Sequence, residues 1–444
     1  MAVNEEDLKL QWFMWLGKAF CELCLIFGSI SSPGIFDRLA KIVIEIVIWR
    51  SKIPRSLVSQ HLDDCCAAAP AGDSTIYRFD NEYKAFADGN STNYRFDNEY
   101  KAVALELGIS LAPRDNPEKS FGPSTEGVIY GINYDTVAQS WWMEEHKLAR
   151  IQEMIKNFMV NKEMKAREVW SLAGKINHVK DLVEGGKFYV VELLKANNVY
   201  NEKKDQNRMI AVSDMLKREL WWWNTMLLVC ARRTKYPDPE ATLPAWSLQA
   251  YTDAAGGSTL YLGSGTGAVL GCWWSYIPWS TYINGSGTAK GGKFVRRKLS
   301  ALELVGPLLT VCGACDMVRG KPLKIFVDNQ GSVDIFRKGY STSCELSTTL
   351  ARAIYQVSTA LECRVELVKI TRCSEPKATM ADALSKGEWI TFKNTAQQAG
   401  LEMQEEMGTV PDALQEWINK PEEDWYLGER IIQELKRNNT VIGY

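Results

Sequence analysis

A chain of 444 residues, 46% hydrophobic and 24% charged, is long enough for roughly two to four domains. That composition excludes collagen, a disordered tail protein and a small disulfide scaffold, and no apolar run reaches the roughly 18–20 residues a membrane helix needs. Net charge is −2, which argues against indiscriminate polyanion binding, yet Lys147–Lys235 carries 18 Lys/Arg against 10 Asp/Glu while Gly400–Tyr444 carries 4 against 10. Such segregation predicts one surface that meets a polyanion and one that does not. Chance fluctuation over solvated helix faces is the plain alternative. The N-terminus, Met1-Ala-Val-Asn-Glu-Glu-Asp7, is acidic where a signal peptide is basic, and the 11 cysteines sit mostly in apolar surroundings. A reduced, intracellular protein of cytoplasm or nucleus is expected.

In chain order, Leu8–Phe20 is rich in large apolar side chains, Gly28–Gly34 reads as a loop, Ile35–Trp49 has helical spacing, and Val58–Leu62 reads as a short strand before Asp63-Asp64. Tyr77–Ala85 and Tyr94–Ala102 are the same nine residues, offset by 17. Two copies are too few for a solenoid, so one is expected to form the helix leading to Leu105–Leu111 while the other loops out or extends it. Phe121–Asp135 alternates like a hairpin. Residues 144–232 read as long basic helices broken at Gly185-Gly186, and Tyr236-Pro-Asp-Pro-Glu240 as a linker. Beyond it, Leu248–Thr252, Thr259–Leu262, Ala268–Trp274, Lys324–Val327 and Arg364–Ile370 read as strands. Helices are expected at 299–318, 332–338, 343–361 and 376–386, an α/β pattern, before an acidic helical tail.

Four carboxylates of that second half sit where burial is costly. Asp253 follows a strand and precedes Ala254-Ala-Gly-Gly257; Glu303 lies on the apolar helix Leu299–Leu309; Asp328 ends Lys324-Ile-Phe-Val; Asp382 lies near the start of a late helix. Converging at one sheet edge, they would hold two hard divalent cations, Mg²⁺ or Mn²⁺, that clamp the attacking and leaving oxygens of a phosphodiester. Taken singly, each also reads as an N-cap or turn residue. Their order and spacing, in Thr252-Asp-Ala-Ala, Ala301-Leu-Glu-Leu, Val327-Asp-Asn-Gln-Gly-Ser and Met380-Ala-Asp-Ala-Leu-Ser, resemble the ribonuclease H fold of retroelement polymerases across about 245–390. The resemblance implies that Asp253, Glu303, Asp328 and Asp382 are catalytic metal ligands. Some relatives place a mobile His before the last Asp; Ile370-Thr-Arg-Cys-Ser-Glu has none, which leaves Arg372 as a candidate for product release.

Upstream, Phe27-Gly-Ser-Ile-Ser-Ser-Pro-Gly-Ile-Phe36 followed by His61-Leu-Asp-Asp64 resembles a reverse transcriptase palm. Asp63 and Asp64 would be its metal-binding catalytic carboxylates, although Asp-Asp alone is also an ordinary turn. Ser120–Asp135 resembles the hairpin that grips the primer, and Leu172-Ala-Gly-Lys-Ile-Asn-His178 a thumb helix whose Lys175 meets phosphate. Together these segments are most similar to DIRS-type retrotransposons, with about 8–390 covered. Glu5-Glu6-Asp7 matches the stretch just after the strand that bears the first palm Asp, so that strand and the fingers are expected to lie before Met1 and polymerisation by this chain to be absent.

The resemblance divides the α/β chain into a partial palm (1–143, an α+β remnant holding the duplication), a helical thumb and connection (144–235), a ribonuclease H-like domain (236–390) and an acidic tail (391–444). It implies endonucleolytic cleavage of RNA in RNA–DNA hybrids; the alternative is a non-catalytic nucleic-acid-binding or assembly remnant. The basic loop Lys290–Lys298 (Lys293, Arg296, Arg297 and Lys298) is expected at phosphates. Cys21-x-x-Cys24 and Cys312-x-x-Cys315 have zinc spacing but read as core cysteines, and Trp221–Trp223 as packing rather than base stacking. Nothing in the sequence fixes an oligomeric state.

Overall fold

The computed structural model describes residues 12–15, 18–21, 32–52, 55, 58–61, 64–67, 76–79, 92–107, 121–124, 126–129, 131–135, 137–138, 140–203, 206–230, 234–235, 247–255, 264–279, 300–405 and 407–438. They belong to two compact units of mixed helix and strand, 1–147 with 231–236, and 148–230 with 237–444. Among the described residues no helix is long and apolar enough to cross a membrane.

In the first unit the helical spacing of Ile35–Trp49 becomes the helix Ser32–Ser51, on which the helix Thr92–Glu106 packs. Ile44, Val47, Val58 and Val103 are buried together. Arg50 grips both oxygens of Glu106 at 2.7 Å, a pair worth little because solvent reaches both side chains. The repeated nonapeptide takes two conformations. Tyr77–Phe79 of the first copy lies in the strand Ile76–Phe79, paired with Asp64–Ala67, whereas all of the second copy, Tyr94–Ala102, is helical. Identical residues carry identical propensities, so neighbours decide. Of the hairpin expected over Phe121–Asp135, Glu126–Ile129 and Ile132–Asp135 form one, closed by Gly131 at φ 74°, while Phe121–Ser124 pairs with Ile76–Phe79.

The helical part of the second unit holds α1 (Glu145–Val160, most of it in this unit), α2 (Ala166–Val179), α3 (Val191–Lys203) and α4 (Asp214–Cys230). Leu148, Ile151, Ile155 and Phe158 recur at helical spacing and are buried, which leaves the charged side chains of α1 outward. Gly185 makes the break at φ 77°, where a Cβ would also strike the Tyr355 ring.

Five strands then form one mixed sheet: β1 (Leu248–Ala254), β2 (Gly265–Leu270), β3 (Trp273–Pro278), β4 (Pro322–Val327) and β5 (Arg364–Lys369), in the order β3-β2-β1-β4-β5. The β3-β2-β1 ladder is antiparallel, and β1-β4 and β4-β5 are parallel. Every residue of β2 is buried because both faces of the sheet are covered. One face carries α5 (Val305–Gly313), α6 (Cys315–Val318), α7 (Gln330–Lys338) and α8 (Glu345–Ala360). The other packs Tyr251 and Val269 against Met380, Leu384, Phe392 and Ala396 of α9 (Pro376–Ser385) and α10 (Trp389–Gln398).

Three sequence expectations shift. Ala268–Trp274 is two strands, because Gly271 at φ 61° turns the chain between β2 and β3. The helix expected over 299–318 is interrupted. Glu303 and Leu304 form a turn, and α5 starts at Val305 because Pro307, which lacks an N–H, fits a helix only in its first turn. Asp382 lies late in α9 rather than near its start. Thr259–Leu262, the 236–240 linker and Lys290–Lys298 lie outside the described residues. The acidic tail is packed: Gln404 and Gly408 donate N–H groups to Cys272 and Trp274 of the β3 edge, and α11 (Asp412–Asn419) and α12 (Leu427–Arg437) bury Trp417, Ile431 and Leu435 in the main core.

Candidate metal centre

The rings of Tyr251 on β1 and Phe326 on β4 stack with centroids 4.9 Å apart, and these residues are partners in the parallel ladder. Two residues further along each chain stand Asp253 and Asp328. Strand periodicity places them on the same face, outside the carboxyl ends of two parallel strands, where open α/β sheets gather ligands. Asn329 accepts the Ser332 N–H at 3.2 Å and caps α7, so the chain turns away immediately after Asp328. Lys369 donates to the Asp328 carbonyl.

Glu303 reaches the same place from the turn before α5. Gly306, one turn on, permits this approach: a Cβ there would lie 2.7 Å from the Cβ of Thr252. Opposite Asp253 in the antiparallel ladder is Gly267, where a Cβ would lie 2.5 Å from Leu384 Cβ and 2.7 Å from the Ala381 carbonyl oxygen. That glycine seats α9 on the sheet, which brings Ser385 Oγ to donate to Asp253 Oδ2 at 2.5 Å.

One carboxylate oxygen each of Asp253, Glu303 and Asp328 lies within 4.8 Å of the others. Asp253 is 5% exposed and Glu303 3%. Burial pushes the Asp253 carboxyl up, opposed by the Ser385 hydroxyl and Arg372. Burial holds Glu303 well above the usual carboxylate range, and the charges of Asp253 and Asp328 add to the effect. Glu303 Oε2 is buried without a hydrogen-bond partner. Like charges gathered around an orphaned acceptor fit a hard cation with oxygen ligands.

Asp382 is held differently. Its Oδ2 is 2.6 Å from Lys386 Nζ, and its Oδ1 is 3.2 Å from Arg372 Nε. The Arg372 guanidinium also lies 3.2 Å from Asp328 and 3.4 Å from Asp253. The four expected carboxylates therefore share one neighbourhood, with Asp253, Glu303 and Asp328 drawn together, Arg372 shared among Asp253, Asp328 and Asp382, and Lys386 on Asp382. Lys386, one helical turn from Asp382, was legible as an i,i+4 partner; Ser385 stood inside the quoted motif; Gly267 carried no sequence signal.

Elsewhere, Asp64 opens the strand Asp64–Ala67 opposite His61, while Asp63 lies outside the described residues, as do Lys293, Arg296, Arg297 and Lys298. Lys175 is half-buried on α2 and donates to Ser171 Oγ at 3.2 Å. Beside it, Gly174 is exposed, and a Cβ there would meet nothing within 4 Å. Cys312 and Cys315 are buried, with the Cys312 thiol pushed up by burial, as core cysteines are. Trp223 is fully buried and donates to the Tyr189 carbonyl at 2.5 Å, and Trp222 stacks on the Tyr189 ring at 3.9 Å.

No family model and no curated protein sequence matches this chain. Among solved structures it is similar to the foamy viral protease-reverse transcriptase in complex with dsDNA, at 14% identity and a TM-score of 0.35, over 84% of this chain and 65% of that one. It is also similar to the foamy viral protease-reverse transcriptase in complex with RNA/DNA hybrid, at 13% identity and a TM-score of 0.36, over 85% of this chain and 43% of that one. The chain thus spans less than two thirds of the length of either.

Proposed function

We propose that the second unit is a ribonuclease H-like, metal-dependent endonuclease that cuts the RNA strand of RNA–DNA hybrids, in a chain of retroelement reverse transcriptase ancestry similar to DIRS-type elements. The observation that carries this reading is the convergence of Asp253, Glu303 and Asp328 within 4.8 Å, with a buried, unpartnered oxygen on Glu303. Mg²⁺ or Mn²⁺ suits this all-oxygen donor set.

When bound, a divalent cation supplies positive charge to the phosphoryl oxygens and lowers the pKa of water. The residues of the chain do the rest. Ser385 fixes one oxygen of Asp253, so that carboxylate presents a single orientation. Burial of Glu303 excludes water from its oxygens and strengthens every charge interaction there. Asp382 completes the rim, with Lys386 beside it. Hybrid would be chosen through the 2′-hydroxyls of the RNA strand.

On the same reading, residues 1–143 derive from a palm with Asp63 and Asp64 as its carboxylates, 144–235 from a thumb and connection, 236–390 form the nuclease and 391–444 its tail. Lys175 and the Lys293–Lys298 basic loop would meet phosphate. Gly174 supports that role for α2, since a glycine within a helix costs about 1 kcal/mol and no described neighbour requires one there.

A non-catalytic binding role is the second reading, favoured by the two cations already seated on Asp382. Cleavage of a labelled hybrid with and without Mg²⁺, set beside gel-shift binding, separates them. RNA-strand cleavage that needs Mg²⁺ and is lost in Asp328→Asn is the expected outcome. Hybrid binding with no cleavage at any Mg²⁺ or Mn²⁺ concentration would leave the second reading.

A further inference from the structure

Arg372 stands on a turn whose two ends are both anchored. Before it, the Ile370 N–H donates to the Val327 carbonyl at 2.9 Å, extending the β4-β5 ladder. After it, Glu375 accepts the Tyr251 hydroxyl at 2.5 Å. Between these points Cys373 adopts φ 54°, a left-handed conformation that costs a side-chain-bearing residue energy and persists only where its surroundings impose it. The turn therefore directs Arg372 over the carboxylates, and its guanidinium lies within 3.4 Å of Asp253, Asp328 and Asp382 at once.

The cluster is electrically divided as a result. On the Asp382 side both carboxylate oxygens face cations, Arg372 and Lys386. On the opposite side Glu303 Oε2 has no hydrogen-bond partner, and Glu303 closes a three-carboxylate pocket with Asp253 and Asp328, each of which gives Arg372 one contact, at 3.4 and 3.2 Å. Four carboxylates alone would attract two divalent cations; a guanidinium seated among three of them, on a side chain that is half exposed, fills one of those positions with protein charge. Because Arg does not lose its proton in proteins, this charge cannot be titrated away.

We infer that Arg372 is a built-in cation of the metal centre. With its guanidinium seated, the free protein binds one divalent cation, at Asp253, Glu303 and Asp328, and the Asp382 side accepts a second only when Arg372 is withdrawn or replaced. The inference rests on the metal-dependent reading above and assigns Arg372 a positioning role on cation number.

The test is Mn²⁺ binding to the full chain, followed by calorimetry and by the electron paramagnetic resonance of free Mn²⁺, with no substrate present. The wild type is expected to bind one Mn²⁺, Arg372→Lys one, and Arg372→Gln two, the first of them about 10-fold tighter once the repelling charge is gone. Metal-free melting supplies the readout that a merely structural role would not move in the same pattern. Arg372→Gln should melt lower than wild type without metal, because three carboxylates lose their counter-charge, and should gain more from saturating Mn²⁺. Two Mn²⁺ bound by the wild type, or one bound by a folded Arg372→Gln, would overturn the inference while leaving the metal-dependent reading intact. No Mn²⁺ bound by any of the three proteins would overturn that reading, and this inference with it.

Discussion

Around Arg352 the second unit buries charges of opposite sign, whereas at the carboxyl ends of β1 and β4 it buries like charges together. Arg352, 1% exposed, donates through Nε to the Phe188 carbonyl at 3.2 Å and lies over the Trp425 ring at 3.8 Å and the Tyr189 ring at 5.2 Å. Glu219, within its field, accepts the N–H groups of Glu192 and Leu193 at 3.0 and 2.9 Å and so caps the start of α3 from another helix. Each charge there meets a fixed dipole, an aromatic face or its opposite, although Arg352 Nη2 makes no hydrogen bond. At the sheet end, Glu303 lies among the like charges of Asp253 and Asp328, which outweigh the Arg372 charge and the Ala254 N–H that favour its ionised form, and it holds an unpartnered oxygen. Each region leaves one of these buried charged groups with an unpartnered atom, Arg352 Nη2 and Glu303 Oε2, so what separates them is the sign of the surrounding charge: opposite charge and aromatic faces hold the fold together, whereas gathered like charge suits a cationic ligand.

The largest expected effect is at Arg352. Arg352→Met keeps most of the stem but removes the cation over Trp425 and the donor to Phe188, and leaves Glu219 without its buried counter-charge. A loss of about 3–5 kcal/mol is expected, typical of breaking buried charge compensation. Calorimetric melting against wild type measures it. Arg352→Lys should recover only part, since an ammonium lacks the planar fork that stacks on indole. A loss below about 1 kcal/mol would show that the aromatic enclosure, not the charge, holds this region, and the comparison would break.

A pH dependence follows from Glu219, whose carboxyl burial pushes up to about 7. Below the ordinary carboxylate range, folded and unfolded chains both hold the proton and its contribution is fully present. Between about pH 4.5 and 7 the unfolded chain releases a proton that the folded chain keeps, so stability falls as pH rises, by at most about 3 kcal/mol. Glu219→Gln, neutral at every pH, should flatten that slope in melting temperatures taken from pH 4.5 to 8. An identical slope in the two proteins would mean that helix capping stabilises the charged form as much as burial disfavours it.

How much of this was legible in the sequence depends on what each residue needed. Asp253 and Asp328 stood after apolar β-rich runs, but that they share a face depends on the pairing of Tyr251 with Phe326, which no sequence period supplies. Glu303 was legible as a residue of an apolar helical stretch, but its place in a turn depended on Pro307, whose missing N–H forbids the continuous helix. Gly267 was not legible. A glycine in a strand is often a bulge or a weak point, and only the closeness of α9 shows that a Cβ here would strike Leu384. Arg352 and Glu219 read as ordinary helix charges, since nothing local distinguishes a buried charge from a solvated one. The two copies of Tyr-Arg-Phe-Asp-Asn-Glu-Tyr-Lys-Ala give the clearest limit, because no local rule could send Tyr77–Phe79 into a strand and the same three residues, Tyr94–Phe96, into a helix.

The smallest expected effect has the opposite sign and tests the other half of the comparison. Glu303→Gln keeps the shape of the side chain, removes a charge that burial, Asp253 and Asp328 all disfavour, and brings an NH₂ group that can donate to those carboxylates. If the cluster is strained by like charge, the metal-free protein should become more stable by about 1 kcal/mol. The same substitution removes a hard oxygen ligand, so the melting gain that saturating Mg²⁺ gives wild type should largely vanish. The paired melts, with chelator and with Mg²⁺, measure both quantities on one sample. Lower metal-free stability in Glu303→Gln would mean that the carboxylate is satisfied within the fold, as the charges around Arg352 are, and the two regions would then be two versions of one structural device. Higher metal-free stability with a lost Mg²⁺ response assigns the like-charge cluster to ligand binding at a cost in stability, the trade that catalytic sites make and packing cores do not.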